Sequence, residues 1–147
     1  EIPPLSYATV YQLKRDFPQL EIIINGGVTS LDQCEQHLAL VDGVMIGREA
    51  YHNPWILAQA DARLFGEESQ VPTRFQVLEK LLPFVEFELA SGVPLNRITR
   101  HILGLFHGQP GARAWRRYLS NHSYQINADS GVILRAVGQI ATRIHEK

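Results

Sequence analysis

The sequence predicts an α/β segment followed by an all-α domain, and three observations predict it. Two short apolar runs, Leu20 to Ile24 and Asp42 to Ile46, flank a helical stretch within the first 66 residues. Beyond residue 72 nothing reads as a strand, and apolar side chains recur at helical spacing instead. Charge divides at the same place. Residues 1–70 hold four basic against ten acidic side chains, a net of −6, and residues 71–147 hold ten against five, a net of +5. Such asymmetry points the second part towards a polyanionic partner.

In chain order, Ser6 is expected to cap a helix from about Tyr7 to Phe17, with Val10, Leu13 and Phe17 on one face, and Pro18 stops it. Leu20 to Ile24 is a strand ending at Asn25-Gly26-Gly27. Ser30 and Gln33 have the spacing of a capping box and open a helix through about Leu40. Asp42 to Ile46 is a second strand, ending at Gly47-Arg48. Strands this uniformly apolar, joined by a helix, imply a βαβ unit with parallel pairing and both faces covered. A short helix around Trp55 to Leu64 leads out of it. The first domain is placed at 1–66, a linker at 67–72 and the helical domain at 73–147. Helices are expected at about Thr73–Ser91, with Pro83 inside, Leu95–Phe106, Ala112–His122 and Gly131–His145, a small bundle.

Composition narrows the function classes. No apolar run reaches the roughly 20 residues of a membrane helix. The single Cys34 rules out an internal disulfide and suits a reducing cytoplasm. The six histidines lack metal-ligand spacing, so no metal is expected.

Chemistry in the first part lies at the C-terminal ends of the two strands. Asn25-Gly26-Gly27 and Gly47-Arg48 face the same way, and glycine lets backbone N–H groups approach an anion. Helices follow both turns and add a favourable dipole, and Arg48 offers a two-pronged cation. Residue types alone leave open that the glycines only turn the chain and that Arg48 only makes a salt bridge. Two such turns separated by one βαβ unit favour a phosphate-bearing ligand.

Residues 22–27 together with 42–54, Asp-Gly-Val-Met-Ile-Gly-Arg-Glu-Ala-Tyr-His-Asn-Pro, resemble the closing segment of the tRNA-dihydrouridine synthase barrel, closest to the A-type enzymes that act on the tRNA D-loop. The resemblance extends through the helical part. It implies the last βαβ segment of a TIM-type (β/α)8 barrel followed by a C-terminal helical bundle. It also implies that Asn25, Gly26, Gly27, Gly47 and Arg48 bind the phosphate of FMN.

In the second half Arg113, Arg116 and Arg117 fall at i, i+3 and i+4 on one helix, beside Trp115 and Tyr118. Arg97, Arg100 and His101 repeat the spacing on the preceding helix. Spacing alone does not separate an RNA-phosphate surface from a solvated face, and Trp115 is expected in the core. The resemblance implies that this segment binds tRNA, with Arg113 and Arg116 first among the contacts and Arg117 and Arg100 behind them.

The reaction the resemblance implies is that of a flavin-dependent oxidoreductase: NADPH reduces FMN, a hydride passes to C6 of uracil, and a cysteine protonates C5. Cys34, in mid-helix between the strands, is not that residue and is expected to be a packing or surface thiol, with His37 likewise structural or solvated. The chain is therefore expected to be a C-terminal portion of the enzyme, inactive alone, whose unpaired strand edges invite self-association. Two other readings stand beside it: a stand-alone RNA-binding module without catalysis, and the tail of another FMN- or phosphate-binding barrel.

Overall fold

The computed structural model describes residues 4–66 and 70–144, with side chains through Ile140. Its elements are α1 (Tyr7–Asp16), β1 (Ile23–Asn25), α2 (Leu31–Leu38), β2 (Gly43–Met45), α3 (Arg48–His52), a 3-10 turn (Pro54–Gln59), α4 (Ala60–Leu64), α5 (Arg74–Ala90), α6 (Leu95–Thr99), α7 (Ala112–His122) and α8 (Gly131–Ile144). They form two compact units. The first takes the described residues up to Ala50 together with 56–66; the second takes 51–55 with the described residues from 70 onward. Residues 67–69 of the expected linker lie outside the described residues, as does His145 at the end of the last expected helix.

In the first unit β1 and β2 pair in parallel, with Ile23 opposite Gly43, Ile24 opposite Val44 and Asn25 opposite Met45. Both strands are shorter than their apolar runs. Before β1 the chain closes on Asp42 instead of extending a ladder: the Ile22 N–H donates to the Asp42 carboxylate at 2.8 Å, and the Ile22 carbonyl accepts from Asp42 N at 3.0 Å. Ser30 caps α2, its Oγ accepting from Gln33 N at 3.2 Å, while the Gln33 side chain accepts from Thr29 N at 2.7 Å. Ser6 does not cap α1; its hydroxyl pairs with that of Thr9 at 2.9 Å.

Packing on the strand pair is one-sided. Val28, Leu31 and Cys34 form a small core with Val44, Ile46, Ile56, Ala60 and Leu64. On the other face Ile23 is 60% and Met45 52% exposed, so the expectation of two covered faces does not hold among the described residues. α1 has no fully buried side chain, and its tyrosines gather around His37 instead of lying over that face. Tyr11 Oη bonds His37 Nδ1 at 2.6 Å, and the Tyr7 ring meets the imidazole edge-on at 4.7 Å.

The second unit is helical. Thr73 and Gln76 make a complete capping box at the start of α5, with Gln76 N donating to Thr73 Oγ1 at 3.2 Å and Thr73 N donating to Gln76 Oε1 at 2.8 Å. α5 carries Pro83 inside it and remains one helix from Arg74 to Ala90. Leu78 and Val85 of α5, Leu95 and Ile98 of α6, Trp115 and Leu119 of α7, and Val132, Ile133, Ala136 and Ile140 of α8 close one core.

The helix expected over Leu95–Phe106 stops at Thr99, and tight turns run on to Gly111. Tertiary partners bond two carbonyls of these turns. Trp115 Nε1 donates to Ile102 O at 3.2 Å, and Arg74 Nε donates to Leu105 O at 2.9 Å. The turns bury Leu105 and Phe106 side by side, with the Phe106 ring edge-on to Trp115 at 4.9 Å. Consecutive helical residues would diverge by about 100° around the axis. The helix expected over Trp55 to Leu64 is likewise divided, into the 3-10 turn and α4.

Candidate functional site

Parallel, in-register pairing places the C-terminal ends of β1 and β2 side by side, so the two turns named from sequence leave the same edge of the sheet. Gly26 and Gly27 have φ of 127° and 67°, which side chains with a Cβ rarely adopt. A Cβ on Gly26 would also stand 2.7 Å from Leu5 Cδ2. Tyr7 fastens this turn, its hydroxyl donating to Gly26 O at 2.5 Å. Around Gly47 the position of a Cβ is open space. Arg48 is exposed and takes part in none of the ion pairs among the described residues. Bent backbone, an unobstructed glycine and an uncommitted guanidinium at one sheet edge suit an anion of phosphate size.

Two other cations of this unit, Arg63 and Lys14, are committed to carboxylates. Arg63 reaches Glu35 at 2.9 Å through Nε and Asp32 at 2.5 Å through Nη2, and these carboxylates, Glu35 foremost, raise its pKa further. Lys14 holds Asp42 at 2.7 Å and keeps that carboxyl below its ordinary range. Cys34 is buried, and burial pushes its thiol up, away from reactivity.

In the second unit α7 divides cleanly. Ala112, Ala114, Trp115 and Leu119 are buried, whereas Arg113 and Arg117 are exposed and Arg116 is half-buried. None of the three is in an ion pair among the described residues. Arg100 and His101 lie in the turns past α6, not on a continuous helix with Arg97. Arg100 is exposed, and His101 is bonded through Nδ1 to Tyr51 Oη at 3.1 Å.

The family model described as "Dihydrouridine synthase (Dus)" matches residues 1–140. The chain belongs to the dihydrouridine synthase family. It is 54% identical over 142 residues to a tRNA-dihydrouridine(20/20a) synthase of Shewanella oneidensis, covering 97% of this chain and 42% of that protein. Proteins of the same name from Vibrio cholerae and Escherichia coli K12 are each 50% identical, over 140 and 143 residues. The chain thus spans about two fifths of the length of the curated relatives it matches. Family membership sets aside the tail of an unrelated phosphate-binding barrel.

The structure adds residues that sequence reasoning passed over. Tyr7 and Leu5 buttress the first glycine turn, and Tyr7 with Tyr11, spaced i and i+4, fixes His37. That spacing was the available signal; its target, 26 residues beyond Tyr11, was not readable. No group of His, Cys, Asp and Glu among the described residues could hold a metal, and none of their helices is long and apolar enough to cross a membrane.

Proposed function

We propose that this chain is the cofactor-anchoring and tRNA-holding portion of an A-type tRNA-dihydrouridine synthase, an FMN-dependent oxidoreductase that reduces D-loop uridines. The observation that carries the reading is the α7 surface: Arg113, Arg116 and Arg117 without ion-pair partners among the described residues, on a helix anchored by the fully buried Trp115. The printed name of the relatives, tRNA-dihydrouridine(20/20a) synthase, supports the same substrate. Residues 1–66 are read as the closing βαβ segment of a (β/α)8 barrel, 67–72 as a linker and 73–147 as the tRNA-binding domain. The exposed Ile23 and Met45 support the barrel reading, since interior side chains from other strands fill such a face in a closed barrel.

In this reading Asn25, Gly26, Gly27, Gly47 and Arg48 hold the FMN phosphate. When bound, FMN reduced by NADPH supplies the hydride that passes to C6 of uracil. This chain's own residues position and neutralise. Arg48 offsets phosphate charge with two parallel donors, and Tyr7 keeps the Gly26–Gly27 turn from relaxing. Arg113 and Arg116, then Arg117 and Arg100, contact RNA phosphates and set the register of the tRNA. Cys34, buried at mid-helix, takes no part in proton transfer.

Fluorescence anisotropy with labelled, unmodified tRNA across a salt series tests the proposal. Binding should weaken steeply with salt, and the Arg113→Ala/Arg116→Ala double variant should lose about 1–3 kcal/mol. Binding that ignores the double substitution would move the RNA surface off α7, and no binding at low salt would sink the reading.

A further inference from the structure

Tyr124, just beyond α7, leaves its ring 71% exposed, although aromatic rings normally contribute to a core. It continues the exposed stripe of the helix: Arg113, Arg117, Ser120 and Tyr124 succeed one another at spacings of four, three and four. Beside it lies a small notch, about 30 Å³ in volume, whose rim carries Asn96, Arg100, Ser120 and Tyr124 and whose floor includes the buried Thr99 and Leu119. The turn structure that ends α6 at Thr99 delivers Arg100 to this rim, next to side chains from the far end of α7.

The rim combines four kinds of recognition chemistry. A guanidinium holds a phosphate, a carboxamide offers both donor and acceptor, a hydroxyl adds another of either kind, and a phenol presents a flat face for stacking. The notch has room for one small polar group, on the scale of a single water. A nucleobase therefore cannot enter it. A base lying across Tyr124 can place one edge atom or one phosphate oxygen there.

We propose that Asn96, Arg100, Ser120 and Tyr124 form a subsite for one unpaired nucleotide of the bound RNA, its base stacked on Tyr124 and its phosphate on Arg100. The subsite rests on the RNA reading of α7 and deepens it. The arginines grip backbone wherever it passes, whereas Tyr124 needs an unstacked base and so distinguishes a folded RNA with free nucleotides from a plain duplex.

The test measures anisotropy of labelled, unmodified tRNA and of a fully paired RNA duplex with this chain and four variants. Tyr124 is 71% exposed and is not among the side chains packed against the core, so its substitution should leave the fold intact. Tyr124→Leu should weaken tRNA binding about five- to a hundredfold with the salt slope unchanged and duplex binding unaffected. Tyr124→Phe should retain wild-type binding, because stacking needs the ring and not the hydroxyl. Arg100→Ala should weaken binding and reduce the salt slope by about one unit. If Tyr124→Leu binds tRNA like wild type while Arg113→Ala/Arg116→Ala does not, the subsite is wrong and the RNA reading stands. Equal losses on tRNA and duplex would also overturn the subsite, since no unpaired base would then be involved. Absence of tRNA binding by the wild-type chain would remove the reading and the subsite together.

Discussion

Asp42 illustrates how one side chain can organise a unit with little core. Its carboxylate receives the Lys14 ammonium at 2.7 Å and the Ile22 N–H at 2.8 Å, while Lys14 also donates to Pro18 O at 3.0 Å and Leu20 O at 2.8 Å. Lys14, and after it the Ile22 N–H, keeps the carboxyl below its ordinary value of 3.8. The folded state therefore binds fewer protons than the unfolded state around that pH. The contribution is present above the unfolded pKa and is lost as pH falls through the lowered folded one. Asp42→Asn should lower stability at neutral pH and remove part of the decline below pH about 4. Urea unfolding followed by far-UV circular dichroism at several pH values measures both, and an acid limb identical to wild type would refute the account. Cys34 makes the same point without charge: the sequence placed it in mid-helix, and its burial decides that it packs.

Among the elements, the start of α7 lies directly against α8 at Gly111. Its φ of 84° lies in the left-handed region, and a Cβ there would stand 3.0 Å from the Ile140 Cα, a backbone atom that cannot swing aside. Gly111→Ala should therefore destabilise the second unit by about 1–3 kcal/mol, read from urea unfolding by tryptophan fluorescence. A variant as stable as wild type would mean that α8 shifts freely. The ends of α2 and α5 were legible because caps are local, as Ser30 with Gln33 and Thr73 with Gln76 demonstrate. The end of α6 was not. Leu95 to Phe106 has helical spacing, but partners outside the segment, Trp115 and Arg74, claim the Ile102 and Leu105 carbonyls. The arginine triplet on α7 was legible for the same reason as the caps, and the Asn96–Arg100–Ser120–Tyr124 rim was not, because its two sides are 20 residues apart.

For the molecule as a whole, the two compact units differ in what holds them. Val28, Leu31 and Cys34 are the buried centre of the first, while the second closes Trp115, Phe106, Leu119, Ile133 and their neighbours into a larger core. Both tryptophans, Trp55 and Trp115, belong to the second unit. Tryptophan fluorescence thus follows that unit, and far-UV circular dichroism follows both. In urea the dichroism should begin to change at lower denaturant than the fluorescence, as the first unit opens first. Coincident transitions would show one cooperative unit instead. Burial in this chain thus follows unit by unit, and the charge division of −6 and +5 runs along nearly the same boundary.

By itself the sequence determined what depends on neighbours in the chain. It carried the helix caps, the glycine turns after two apolar strands, the arginine triplet on one helical face and the resemblance to the dihydrouridine synthases. Tertiary structure alone decided which face of the strand pair is covered, where α6 stops, that Tyr7 braces the Gly26 turn, and that Arg100 shares a rim with Tyr124. These depend on side chains and carbonyls brought together from distant positions. Local periodicity has no access to such contacts, because their energies appear only when the chain has closed on itself.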